Sequence, residues 1–307
     1  MGQLTSGTVR QFPSPLRYPG GKGKIANYIK LLFLQNDLLG SQYVEVYAGG
    51  ASLALSLLYE EYASHVHIND LDRSVHAFWW AVLNETEDLC RRVSRSRPSR
   101  AEWKRQRAVQ IARRPDPIDL AFSTFFLNRT NRSGILTGGM IGGKNQTGPW
   151  KLGARYNKPN LIQRIEKAAR FASRITLTKM DGARYIETRL PSLRSPFVYL
   201  DPPYFAKGQD LYQNFYDPQD HAAIAELVRN LACHWLVSYD AVPQIMRLYK
   251  GVPHRRYSLS YSAQDRYRGR EVMFFAPSLS IPRVKSPACL DSDLVESALR
   301  SRVEAWA

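Results

Sequence analysis

A short apolar run, QYVEVY (residues 42–47), is broken by Ala48-Gly49-Gly50. A stretch of helical length and composition, ASLALSLLYEEYA, follows, and then a second short run, HVHIND (65–70). Strand, glycine loop, helix, strand is a βαβ pattern, and it commits the chain to a parallel sheet. Ligands of such sheets gather at the carboxyl ends of the strands. Function is therefore to be sought where these runs end.

The alternation then stops. Residues 73 to 130 read as helices, interrupted near Pro98 and at Pro115-Asp116-Pro117. Residues 131 to 160 are rich in Gly, Asn and Thr and predict a long loop or a hairpin over 133–155. Alternation resumes with the helix NLIQRIEKAARFASR and the strand ITLTKMD. An apolar strand, PFVYL, then runs into Asp201, followed by the helix HAAIAELVRNLA and the strands HWLVSYD and EVMFFAP. The simplest account is an α/β domain over 1–72 and 161–282, with a mostly helical insertion at 73–160. Residues 283–307 form a basic C-terminal extension with no assigned role. Turn-rich PLRYPGGK (15–22) leads into a helix near 23–35.

Composition removes several classes. With 307 residues, 44% hydrophobic, the chain can bury a sizeable core. No run of eighteen apolar residues predicts a membrane span, and the N-terminus lacks the apolar segment of a signal peptide. Cys90, Cys233 and Cys289 lie far apart and the six histidines do not cluster with them. Neither a disulfide framework nor a metal site is expected, which fits a cytoplasmic protein. Forty-three Lys and Arg against 27 Asp and Glu give a net +16, a field that attracts polyanions such as nucleic acid. Ten of these cations fall between Arg91 and Arg114, against the single acid Glu102. The run reads either as a solvated face or as a surface that tracks phosphates, with Arg105 and Arg107 as candidates.

Asp201-Pro202-Pro203-Tyr204 carries the most chemistry. Two prolines stiffen the loop at a strand end. They leave a carboxylate, carbonyls without neighbouring N–H groups and an aromatic ring in one small space. A carboxylate on one N–H and a carbonyl on the other would draw density toward a poorly nucleophilic ring amine and stabilise the charge that develops on methylation. Asp201 and the Pro202 carbonyl suit those roles, and Tyr204 suits stacking on a base. Alone, the segment also reads as a proline turn capped by Asp. Glycines in Glu45-Val-Tyr-Ala-Gly-Gly-Ala-Ser52 permit close backbone approach to a ligand. Asp70, twenty residues after Gly50, suits ribose hydroxyls or, equally, a helix cap. Tyr18-Pro-Gly-Gly-Lys22 offers a close backbone approach at Gly20 and Gly21 and a cation at Lys22.

PLRYPGGK, EVYAGGASL, HIND and DPPY stand in the order and spacing of the Dam-type, class alpha DNA adenine N6-methyltransferases, and the chain resembles that family over roughly residues 14 to 276. FFLNRTNRSGI with ARYNK is similar to its target-recognition segment. The resemblance implies a Rossmann-like, seven-stranded methyltransferase fold with a mostly helical target-recognition insertion, and S-adenosyl-L-methionine as donor. By position, Tyr18, Lys22, Asp70 and Asp201 match its cofactor site, with Asp201 also catalytic. Glu45, Tyr47, Ala48, Gly49 and Gly50 would line the cofactor loop. Asp181 matches an acid often followed by Phe, but here Gly182 follows. Val46 replaces the usual Pro, and Ala51 a frequent Gly.

Double-stranded DNA is the expected partner, with the target base flipped from the duplex. Asn128, Arg129 and Arg132 are candidates near it. Lys144, Asn145 and Gln146 are candidates at the loop tip to read base edges, unless that loop is ordinary polar decoration. The resemblance also leaves room for a cognate restriction enzyme and for a monomer or weak dimer. Competing readings are an RNA adenine methyltransferase and a catalytically silent DNA-binding relative. Intact Asp201 to Tyr204 argues against the second. The absence of GxGxxG argues against a dehydrogenase.

Overall fold

The computed structural model describes residues 13–17, 22–206, 216–262 and 266–304. Its strands are β1 (Ser41–Glu45), β2 (Ala63–Asn69), β3 (Ile175–Thr178), β4 (Phe197–Leu200), β5 (His234–Asp240), β6 (His254–Ser262) and β7 (Arg266–Phe275). They form one seven-stranded sheet in the order β3-β2-β1-β4-β5-β7-β6. Strands β1 to β5 pair in parallel, and β7 runs antiparallel between β5 and β6. All four residues of β4 are buried, as a strand covered by helices on both faces requires.

Local signals set the helices. Asp72 accepts from the Ser74 and Val75 amides and starts α3 (Arg73–Asn84). By then the chain has already formed α1 (Ala26–Gln35) and α2 (Ser52–Tyr59). Three helices follow, α4 (Thr86–Arg95), α5 (Arg100–Ile111) and α6 (Pro117–Thr130). Ser99 caps α5, and Asp116 with Pro117 opens α6. Every residue of α6 from Leu120 to Thr130 is buried, so this helix is the core of the segment between β2 and β3. α7 (Lys158–Arg170) is capped by Asn157, and α8 (Gly182–Thr188) by Asp181. Asp217 and Asp220 form a capping box on α9 (Pro218–Arg229), and α10 (Pro243–Leu248) follows β5.

The structure adds three points to the sequence reading. β6 adds a strand that the sequence reading lacks, although its YSLSYS alternates Tyr257, Leu259 and Tyr261 with serines, and it pairs along its length with β7, whose start lies at Arg266 and not at Glu271. Of the long loop and the hairpin expected over 133–155, the structure shows the loop, a series of turns joined to α6 by one bridge between Asn131 and Met140. Gln146 organises it: its side-chain amide donates to the Ile141 and Gly143 carbonyls and accepts from the Leu152 amide. The C-terminal extension packs on the domain. Its helix, α11 (Ser292–Glu304), lies on α1, where Arg302 donates to the Leu34 carbonyl and pairs with Asp37. Among the described residues, no helix is long and apolar enough to cross a membrane.

Asn69, the last residue of β2, is fully buried. Its amide nitrogen donates to the carbonyls of Val46 (3.0 Å) and Met180 (2.9 Å). Its oxygen accepts from Met180 N (3.0 Å) and Thr178 Oγ1 (2.8 Å). One side chain thus ties together the ends of three strands. Asn69→Ala strands these groups without water, and we expect a loss of about 2–4 kcal/mol in urea unfolding. A change under about 0.5 kcal/mol would contradict this role.

Candidate active site

Each parallel strand delivers an acid to one edge of the sheet. Glu45 ends β1, Asp70 follows β2, Asp181 lies three residues beyond β3, Asp201 follows β4 and Asp240 ends β5. A cavity opens there, lined by Glu45 to Leu53, by Asp70 to Asp72, by Met180 to Gly182 and by Asp201 and Pro203. Its opposite wall comes from the segment between β2 and β3, through Thr124, Asn128 and Gly134 to Thr137. One space is therefore shared by the sheet edge and the insertion.

Asp201 is held on both oxygens. Oδ1 accepts from Ser238 Oγ at 2.8 Å, and Tyr199 OH lies 2.7 Å from that hydroxyl. Oδ2 lies 2.9 Å from Lys22 Nζ. Lys22 is 6% exposed and Asp201 20%. Lys22 also donates to Tyr204 OH at 2.6 Å, and Tyr204 donates onward to Glu271 Oε1 at 2.7 Å. Just past this loop, the Phe205 and Ala206 amides donate to Asp240, so the exit from the proline pair is fixed as well.

The glycine loop is built for close contact. Gly49 has φ 47°, its amide donates to Asp70 Oδ2 at 2.8 Å, and its carbonyl accepts from Trp79 Nε1 at 2.9 Å. Ala51 adopts the left-handed φ of 47° that a glycine would take more easily. Glu45 is buried, accepts from Tyr43 OH and the Ala54 amide, and is pushed up to about 8 by burial. Burial also raises Asp70 to about 7, with Asp72 adding repulsion, although the Gly49 and Asp72 amides pull the other way.

The structure places the expected residues as follows. Lys22, Glu45, Tyr47, Ala48, Gly49, Gly50, Asp70, Asp181 and Asp201 all line the one cavity, as does Pro203. Tyr18, Gly20 and Gly21 lie outside the described residues. Pro202 and Tyr204 are buried, and the Tyr204 hydroxyl is engaged with Lys22 and Glu271. Tyr47 fills the space next to Gly182 and its hydroxyl lies 2.9 Å from that of Tyr216, so an aromatic pair borders Asp181 although no Phe follows it.

Two candidates for the nucleic-acid side are engaged inside the fold, and one of them, Asn128, also lines the cavity. Asn128 is buried and clamps the Arg17 backbone: Oδ1 accepts from Arg17 N at 2.7 Å while Nδ2 donates to Arg17 O at 2.6 Å. Arg129 is 7% exposed and donates to the Pro15 carbonyl. Burial, then repulsion from Arg164, Arg17 and Arg155, pushes it down to about 9. Arg107 donates to the Leu136 carbonyl at 2.7 Å and lies over the Trp103 ring, so it braces the loop. Arg105 is exposed and paired with Glu102. Arg132 and Lys144 are exposed, whereas Gln146 is turned into its own loop. Sequence reasoning missed Ser238, Glu271, Asp240 and Trp79. An acid heading the apolar run EVMFF was the one available signal. It also missed Trp150, 64% exposed, with Arg155 above its ring.

A parallel sheet with its penultimate strand reversed, acids on its carboxyl edge and a glycine loop after β1 defines the class of S-adenosylmethionine-dependent methyltransferases. The model of the D12 class N6 adenine-specific DNA methyltransferase family matches residues 18–263, and the chain belongs to that family. Among solved structures it is similar to a Pyrococcus horikoshii protein provisionally assigned as an RNA methyltransferase (10% identity, 85% of this chain and 86% of that one, TM-score 0.42). It is also similar to a Listeria monocytogenes protein provisionally assigned as a class I S-adenosylmethionine-dependent methyltransferase (11%, 99% and 74%, 0.39). A third is TrmK of M. capricolum in complex with S-adenosyl-homocysteine (8%, 90% and 83%, 0.34). No curated protein sequence matches the chain.

The residues fit the family's donor, S-adenosylmethionine. Asp70 is a cavity carboxylate whose burial favours its neutral form although the Gly49 and Asp72 amides donate to it, and ribose hydroxyls would add further donors. The Gly49 turn lets a ligand approach the backbone there.

Two outcomes follow from this packing. An ideal Cβ on Gly182 would lie 2.2 Å from the Tyr47 hydroxyl oxygen and 2.5 Å from Cζ. Gly182→Ala should therefore destabilise by about 1–3 kcal/mol, although a helical position alone predicts a gain near 1 kcal/mol. In a Tyr47→Ala background the cost should vanish, and a double-mutant cycle by urea denaturation reads it. For Glu45, the unfolded carboxyl ionises near 4.5 while the folded one keeps its proton to about 8. Between these values the folded state binds more protons, so stability falls as pH rises. Glu45→Gln should flatten that fall in unfolding curves taken from pH 5 to 8.

Proposed function

We propose that this chain transfers a methyl group to N6 of adenine in double-stranded DNA, with the base turned out of the duplex into the shared cavity. The observation that carries the reading is Asp201: a carboxylate at the end of β4, fixed by Ser238 and Lys22 and facing a cavity walled by both the sheet edge and the insertion. Family membership supports the adenine-N6 chemistry. Charge supports the polyanion. Residues 73–160 hold 17 Lys and Arg against 6 Asp and Glu, and so carry eleven of the sixteen net positive charges.

Asp201 accepts one N–H of the amine and the Pro202 carbonyl the other, which localises the nitrogen lone pair and stabilises the charge it acquires. The donor supplies a methyl group on a sulfonium, and the carbon–sulfur electron pair stays with sulfur as the new carbon–nitrogen bond forms. The nitrogen then gives up a proton along the hydrogen bond to Asp201 and on to water. Asp201 does not need to be a strong base, because that proton becomes acidic only once the methyl has arrived. Ser238 keeps the carboxylate aimed while this happens. Exposed Arg132 and Lys144 are proposed to meet the DNA, and Trp150 beside Arg155 offers it a flat aromatic face.

Asp201→Ala should reduce transfer of tritiated methyl groups to unmethylated genomic DNA by at least about a thousandfold while DNA binding changes little. Full activity in that variant removes Asp201 from the chemistry. The same assay on RNA is the substrate control. Label entering RNA and not DNA overturns the DNA assignment and leaves methyl transfer standing.

A further inference from the structure

Glu271 is the least expected group in the site. It lies on β7, between β5 and β6, and is 1% exposed. Two phenols point at it: Tyr204 donates to Oε1 at 2.7 Å and Tyr257 donates to Oε2 at 2.5 Å. Two O–H donors on one carboxyl group mark an ionised acceptor. Lys22 Nζ stands 3.8 Å from Oε2 while it holds Asp201 at 2.9 Å. One buried ammonium thus has a near carboxylate on the proposed reaction side and a second behind it. An isolated buried charge costs several kcal/mol, so a strand keeps such an acid where another charge needs it.

The substrate creates that need. An amine approaching Asp201 competes with Lys22 for the same oxygens. If Asp201 is to turn toward the amine, the ammonium needs another anion within a short movement, and Glu271 is within about one ångström of ion-pair contact. Tyr204 already links the two, accepting from Lys22 and donating to Glu271.

We propose that Glu271, backed by Tyr257, is a positioning residue that takes up Lys22 when the amino group of the substrate claims Asp201. This rests on the reading of Asp201 given above. Glu271 does not touch the substrate. It acts through Lys22 and Tyr204. The titratable groups that face it among the described residues are Lys22, Tyr204, Tyr257, Tyr199, Asp201 and Asp240, the last opposite it in the β5–β7 register. Burial raises the Glu271 pKa, while Lys22, Tyr204 and Tyr257 oppose the rise. Its protonation at acid pH should therefore switch the device off.

The test is single-turnover methyl transfer to unmethylated genomic DNA with tritiated S-adenosylmethionine, followed across pH 5 to 9 for the full chain and two variants. Glu271→Gln should slow transfer by up to about a hundredfold and move the acid limb of the pH profile to lower pH. Tyr257→Phe keeps the carboxylate but removes a donor, so the acid limb should move to higher pH. Opposite shifts are the signature, and thermal melts of each variant show whether the fold survives. Acid limbs that stay in place while rates merely follow lost stability overturn the role of Glu271. A wild-type chain that methylates no nucleic acid overturns the reading of Asp201 beneath it.

Discussion

A buried ammonium held among carboxylates joins three distant parts of this chain. Lys22 comes from the segment before α1, Asp201 from the end of β4 and Glu271 from β7. Each charge alone would be too costly inside a protein. Together, with the hydroxyls of Tyr204, Tyr257 and Ser238, they satisfy one another. The sheet order follows the same need. β4 must be central to place Asp201 beside the glycine loop, and β7 must lie beyond β5 to bring Glu271 behind Lys22. Asp240 on the intervening strand then fixes the loop that leaves Asp201.

Much of this edge was legible in the amino-acid sequence. The βαβ run up to Asp70 and the apolar strand into Asp201 are short-range patterns, and short-range patterns survive folding unchanged. The acids that line the cavity lie at strand ends, so finding the strands placed them on one edge. β6 escaped because its alternation is confined to Tyr257, Leu259 and Tyr261 among serines, after a charged start at Arg255 and Arg256 that reads as solvated. Glu271 escaped for a related reason. Its meaning depends on Lys22 and two tyrosines that meet only once the sheet has formed.

The insertion was the harder half, for a physical reason. Asn128, Arg129 and Arg107 have the donors expected of groups that bind nucleic acid, but donor count does not fix a partner. Here the partners are the backbone of Pro15, Arg17 and Leu136. Gln146 similarly satisfies its own loop. What faces outward instead is Trp150, with Arg155 against it, and nothing in the spacing of GPWKLGAR distinguishes that ring from a core one.

The grip of the insertion on residues 14–17 bears on how such chains can be recombined. Asn128 pairs with the Arg17 backbone like a neighbouring strand, Arg129 reaches the Pro15 carbonyl, and Gly134 leaves no room for a side chain against Arg17 O. The insertion is thus not a cassette confined to its own stretch of sequence. A chimera that imports it from another member of the family must import the few residues ahead of Lys22 as well. Otherwise the graft separates the ammonium from the wall that holds its leader in register.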